Sequence, residues 1–153
     1  MRSIADPEVL SRLVERLRQL HPETPRHWGT LTAGEMLCHL GDAHESVLGI
    51  RIPPGSPAPG PPRPVLKWMV LYAPIPWPKG AKTRPGVDPR LQGTRPGDFQ
   101  ADRQRTITSL QRLVLADPSS LAKRHFRFGP MSAANWYRWA YRHVEHHLRQ
   151  FGV

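Results

Sequence analysis

Residues 132–151 read SAANWYRWAYRHVEHHLRQF, and this stretch carries the clearest pattern in the chain. Five of its side chains follow one another at intervals of four, three, four and four residues. Such intervals place side chains on one face of a helix. These five are Trp136, Ala140, His143, His147 and Phe151. The stretch therefore predicts an amphipathic helix with two imidazoles one turn apart in an apolar stripe.

Three further amphipathic helices are predicted upstream of this one. The first spans about 7–20 and begins with a proline, which suits the first helical turn. The second spans about 32–49 and begins with the capping-box pair Thr32 and Glu35. The third spans about 98–115. Because no alternating strand pattern of useful length occurs, we expect one all-α domain over residues 1–153, with the helices forming a bundle.

A long Pro-rich basic connection, residues 51–97, separates the second and third long helices. Residues 51–96 hold 13 of the 18 prolines and eight Lys or Arg against one acid, Asp88. This segment contributes +7 of the formal net charge of +10. The run 51–64 is too rich in proline for a helix interior or a central strand. Residues 64–72 could form a short apolar helix.

Composition excludes several classes of protein. A single cysteine, Cys38, leaves no disulfide within the chain and no multi-cysteine zinc site. The first 20 residues do not resemble a signal peptide, and the most apolar patch, 65–77, is too short and interrupted to span a bilayer. We therefore expect a soluble cytoplasmic protein without a membrane partner. Nucleic-acid binding ranks last, because no zinc finger, helix-turn-helix or aromatic strand platform accompanies the basic charge.

The two histidines of the last helix favour a metal site. Neutral imidazoles at positions i and i+4 offer one ion two ligands from a single helix. The alternative is a pair of buried histidines held by hydrogen bonds. A zinc protease is rejected, because Val144 occupies the place where that motif has its glutamate and Glu145 faces away from His147. His39, on the inward side of the second helix, is the best third ligand.

The remaining polar candidates receive other roles. His146 and His44 lie around their helices from the ligand face, and His146 is assigned a supporting or surface role. Asp42 could orient a ligand or bind substrate, although an exposed helix-face aspartate is the expected reading. Cys38 points away from His39 and is taken as a small buried residue. Three histidines next to prolines or turns are expected to be structural or solvated, namely His21, His27 and His125.

The basic side chains of the connection also allow two interpretations. They could meet carboxylates of a cosubstrate, or they could be solvated charges. The candidates are Lys79, Lys82 and Arg84. The sequence identifies no catalytic residue.

Three segments resemble a known family. Residues 28–40, WGTLTAGEMLCHL, resemble the start of the second helix of the DinB/YfiT-like superfamily, and residues 128–151 resemble its last helix. Residues 76–85, PWPKGAKTRP, are similar to the proline-rich linker of an uncharacterised bacterial branch. The resemblance covers most of residues 28–151. The run 51–64 departs from it in being longer and more basic than the family pattern.

The resemblance implies a DinB-like four-helix bundle that forms a homodimer. It further implies a divalent metal ion, zinc or nickel, held by His39, His143 and His147. Characterised relatives include thiol-dependent S-transferases, so it implies an enzyme that activates a low-molecular-weight thiol cosubstrate toward an electrophilic small-molecule substrate. The alternative is a non-catalytic metal-binding or stress-response bundle.

Overall fold

The computed structural model describes residues 2–51, 63–80 and 83–153. Five α-helices make up most of this part of the chain: α1 (Pro7–Arg18), α2 (Ala33–Val47), α3 (Pro64–Tyr72), α4 (Phe99–Leu115) and α5 (Ala133–Gln150). A 3₁₀ turn, Pro85–Val87, precedes α4. Two short strands pair antiparallel between α4 and α5: β1 (Arg124–His125) and β2 (Gly129–Pro130).

The predicted helices are present and the all-α class is confirmed. Capping explains why the starts could be predicted: Thr32 Oγ1 accepts a hydrogen bond from the Glu35 amide, and the Glu35 carboxylate accepts one from the Thr32 amide. The N-cap side chains of the other three long helices, Asp6, Asp98 and Ser132, each accept a hydrogen bond from a backbone amide of the first turn. The short helix expected at 64–72 is α3. The Pro-rich run 51–64 lies mostly outside the described residues.

Two small elements were not predicted, the 3₁₀ turn and the strand pair. The turn between β1 and β2 ends at Gly129, which pairs with His125. Its φ of 74° lies in the left-handed region that favours glycine. Elements of two or three residues show no periodicity, so hydrophobic patterning cannot reveal them.

The core lies between the long helices, and α2 packs most extensively against α4. α5 contacts each of the other four helices, and its residues His143 and His147 are buried in the interior. The largest fully buried side chains are mostly aliphatic and come from all four long helices, including Leu13, Leu17, Met36, Leu40, Leu110 and Leu148. Within the described part of the chain, no helix is both long and apolar enough to cross a membrane.

Asp42 corrects one expectation. It was expected to be exposed, but its side chain is fully buried. The carboxylate accepts hydrogen bonds from the amide and hydroxyl of Thr94, each at 2.7 Å, and from Arg105 at 2.7 Å. Arg51 forms an ion pair with it at 3.5 Å. Helical spacing placed Asp42 on the outer side of α2. It could not show that the connection packs over that side of the helix.

Replacing Asp42 is expected to destabilise the fold. The Asp42→Ala variant leaves Arg51 without its carboxylate and the Thr94 amide without its acceptor, while Arg105 keeps Glu45 as a partner. Breaking a buried ion pair by removing one side costs about 3 kcal/mol of unfolding free energy. Urea denaturation followed by circular dichroism measures the loss.

The matched control is Glu15→Ala. Glu15 is exposed and pairs with Arg18 at 3.7 Å on the helix surface, so its removal should change the unfolding free energy by less than about 0.5 kcal/mol. Equal losses in the two variants would show that Asp42 has no special role in the fold.

Candidate metal centre

Three buried histidines come together from two helices. His39 projects from α2, and His143 and His147 project from successive turns of α5. One ring nitrogen from each lies within 4.8 Å of the other two. The three side chains are between 5% and 9% exposed. The structure thus brings together the three residues that sequence reasoning proposed as ligands.

Hydrogen bonds set the tautomer of His39. Its Nδ1 lies 2.8 Å from the carbonyl oxygen of Val87. A carbonyl oxygen can only accept, so Nδ1 carries the proton and donates it. Nε2 of His39 is therefore unprotonated, as metal ligation requires, and its neighbour is Nε2 of His143. The 3₁₀ turn of the connection thereby sets the protonation pattern of a side chain on α2.

His147 is oriented by a relay of two hydrogen bonds. Its Nδ1 lies 3.0 Å from Oε1 of Gln150, whose amide nitrogen donates to the carbonyl of Trp28 at 2.9 Å. Since the Gln150 oxygen can only accept, Nδ1 of His147 donates and Nε2 is left free. Partners of this kind orient metal-binding imidazoles and fix their tautomer.

A glycine makes room for this relay. Gly29 has φ of +80°, and a Cβ built on it would stand 2.1 Å from Nε2 of Gln150. A side chain at position 29 would therefore displace the Gln150 amide. Gln150 itself was missed as a functional residue, although its place three residues after His147 on the same helix was a usable signal.

The geometry and charge of the three imidazoles fit a metal ion. Nε2 of His39 lies 3.0 Å from Nε2 of His143, close to the separation of about 3–3.5 Å between two nitrogens bound to one zinc ion. Nδ1 of His143 is buried without a hydrogen-bond partner among the described residues. Burial lowers the pKa of all three histidines, so they are neutral at pH 7. Neutral imidazole is the form that binds metals, and it suits zinc and nickel.

A cavity of about 980 Å³ adjoins the three histidines. Aromatic rings form much of its wall. The Trp139 ring centre lies 4.7 Å from that of His143, and the Trp77 ring from the connection lies 5.8 Å from it. The cavity gives a small molecule access to the histidine nitrogens, and its walls are largely apolar.

The other histidines divide by burial. His146 lines the cavity, and its ring packs 4.8 Å from that of Trp28, which is consistent with a supporting role. His44 is fully buried and bonds through Nδ1 to the Ser109 hydroxyl at 3.1 Å. His125 is also buried, which agrees with its structural reading, whereas His21 and His27 are exposed.

Cys38 and Glu145 both lie away from the centre, as expected. Cys38 is 1% exposed, and burial raises the pKa of its thiol to about 12. Glu145 forms ion pairs with Arg16 and Arg149. Neither side chain lines the cavity among the described residues.

The fold and site define a class of helical protein with a buried three-histidine cluster beside a cavity. A family model described as the DinB superfamily matches residues 6–151, nearly the whole chain. The chain therefore belongs to the DinB superfamily, whose members often bind a divalent metal ion. No curated protein and no solved structure matches it.

The buried histidines should make stability depend on pH. Burial lowers the pKa of His44 from 6.5 to about 3, so the unfolded chain binds a proton there that the folded chain does not. This contribution is fully present above pH 6.5 and is lost as the pH falls toward 3. Linkage gives a loss of about 2 kcal/mol per such histidine between pH 7 and pH 5.

The His44→Gln variant tests this, because glutamine can still donate to Ser109 and does not titrate. Its unfolding free energy, measured in urea at pH 7 and pH 5, should fall by about 2 kcal/mol less than that of the wild type. Parallel losses in the two proteins would contradict the assignment.

Proposed function

We propose that this protein is a divalent-metal-dependent enzyme that activates a low-molecular-weight thiol for S-transfer to an electrophile. His39, His143 and His147 would hold the ion, zinc or nickel. The observation that carries the proposal is the set of three neutral imidazoles beside a cavity of about 980 Å³. No Asp or Glu occurs among the described residues that line that cavity.

The chemistry follows from the donor set. A bound divalent ion would supply a Lewis acid that lowers the pKa of a thiol. The three imidazoles add no negative charge, so they do not oppose the approach of an anionic thiolate. Val87 and Gln150 hold His39 and His147 in the tautomer that ligation needs. Trp139 packs against His143, whose side chain is buried.

The proposal also includes the arrangement of the long helices. The four long helices α1, α2, α4 and α5 would form the four-helix bundle typical of the superfamily, and residues 51–97 would connect α2 to α4. The homodimer and the cytoplasmic location stay predictions from the sequence.

Metal content tests the ligand set. Untagged wild-type protein is expected to contain about one divalent ion per chain, measured by inductively coupled plasma mass spectrometry after dialysis. His39→Ala and His143→Ala should each lose it, because the two side chains come from different helices and a two-nitrogen remnant binds weakly.

The matched control is His146→Ala. His146 neighbours His147 and lines the cavity but is not one of the three converging side chains, so this variant should keep the ion. Metal-free wild type would refute the proposal. Equal metal content in the wild type and the His39→Ala and His143→Ala variants would refute the three-histidine site.

A spectroscopic titration tests thiol activation. Protein loaded with Co²⁺ should develop a sulfur-to-cobalt charge-transfer band when 2-mercaptoethanol is added. Cys38→Ala should give the same band, because the Cys38 thiol is buried and its pKa is raised to about 12. No band in the wild type would favour the non-catalytic metal-binding alternative. A band lost in Cys38→Ala would assign the sulfur to the protein instead of the added thiol.

A further inference from the structure

The cavity beside the three histidines has an excess of positive charge. Four arginines are among the described residues that line it, namely Arg51, Arg84, Arg124 and Arg127. All 12 acidic residues of the chain fall in the described ranges, and none of them lines the cavity. The protein therefore places cations around this space without supplying the opposite charge.

Three of the four arginines have no acidic partner. Arg51 is engaged by Asp42, Thr94 and the carbonyl of Gln92. In contrast, no Asp or Glu of the described chain forms an ion pair with Arg84, Arg124 or Arg127. Unpaired cations that line a cavity are available to a ligand.

Arg84 is held close to the histidine cluster. Its carbonyl accepts a hydrogen bond from the Val87 amide at 3.1 Å, and the Val87 carbonyl accepts one from His39. The Arg84 guanidinium lies 5.0 Å from the centre of the Phe126 ring, which restrains its plane. Its Nε is buried without a hydrogen-bond partner among the described residues. Burial lowers the pKa of Arg84, with no carboxylate to offset it.

Arg127 approaches the same place from the strand pair. It follows β1 in the turn that leads to β2, and its backbone amide donates to Nδ1 of the buried His125. The pKa of His125 is lowered to about 3, first by burial and then by the positive charges of Arg84 and Arg127. Arg84, His125 and Arg127 all line the same cavity, although the two arginines come from different parts of the chain. Arg124 stands in the strand beside them.

We propose that the cavity binds an organic anion, a carboxylate or sulfonate, whose charged end is held by Arg84 and Arg127. Its apolar part lies along Trp77 and Trp139, which bring it beside the histidine cluster. Guanidinium groups bind carboxylates through paired, charge-assisted hydrogen bonds, and aromatic walls suit an apolar body. That this anion is the thiol cosubstrate or its electrophile rests on the proposed function; the arginine site itself does not.

A matched pair of probes tests the charge preference. Naphthalene-1-acetate and naphthalene-1-acetamide share the aromatic body and differ in the negative charge. Isothermal titration calorimetry on the protein as purified should show the acetate binding at least tenfold more tightly than the acetamide. Equal affinities, or no binding of the acetate at millimolar concentration, would overturn the proposal.

Arginine variants locate the site. Arg84→Gln and Arg127→Gln should each reduce acetate affinity about tenfold or more and leave acetamide affinity unchanged. The control is Arg112→Gln, which removes the same charge from an exposed position on α4 outside this cavity and should behave like the wild type. An equal loss of acetate affinity in Arg112→Gln would mean that the net charge of the protein, and not the cavity arginines, explains the effect. Unchanged acetate binding in Arg84→Gln and Arg127→Gln would refute the arginine assignment.

Two further measurements distinguish an anion held by the arginines from an anion held by a metal ion. Arg84→Gln should retain the metal content of the wild type, and the His39→Ala protein should still prefer the acetate. Wild-type protein that contains no metal would refute the proposed function but would not contradict the arginine site. A preference that disappears in His39→Ala and persists in Arg84→Gln would assign the anion to the metal and overturn the arginine site.

Discussion

The buried carboxylate of Asp42 binds residues at both ends of the long connection. Asp42 is fully enclosed, and a buried charge is tolerated only where hydrogen bonds and opposite charges surround it. Its partners are Arg51 near the start of the connection, Thr94 near its end, and Arg105 on α4. Asp42 thus draws three parts of the chain to α2, one turn away from His39. Asp42 thereby ties Arg51 and Thr94, which lie 43 residues apart in the sequence, to the same helix.

The same requirement for satisfied polar groups organises the histidine cluster. Two of the three buried imidazoles have one ring nitrogen held by a hydrogen-bond partner. His39 finds Val87 in the connection, and His147 finds Gln150, which in turn bonds to Trp28 ahead of α2. These contacts leave Nε2 of His39 and of His147 unprotonated, and one ring nitrogen of each of the three histidines lies within 4.8 Å of the other two. Burial keeps the imidazoles neutral, and the Val87 carbonyl and the Gln150 side-chain oxygen orient two of them without an ion.

The sequence revealed the parts of this arrangement that have a local signature. Capping residues and apolar periodicity gave the helices, and helical spacing placed His143 and His147 on one face. His39 could be chosen because it lies on the inward side of α2. Partners that come from elsewhere in the chain left no such signal. Asp42 was expected in solvent because the packing of Thr94 over it is a tertiary event, and a backbone carbonyl such as that of Val87 is invisible in any residue pattern.

The contacts of Val87 and Trp77 with the histidines place part of the basic connection beside the cavity. A formal net charge of +10, most of it in a Pro-rich segment, suggests on its own a diffuse attraction to polyanions. The structure instead turns part of that segment toward a cavity. The turn that supplies the Val87 carbonyl to His39 also carries Arg84, and Trp77 of the same segment packs against His143. Because one anchored segment both orients a histidine and presents a cation, the cavity can recognise a small anion beside the histidine cluster.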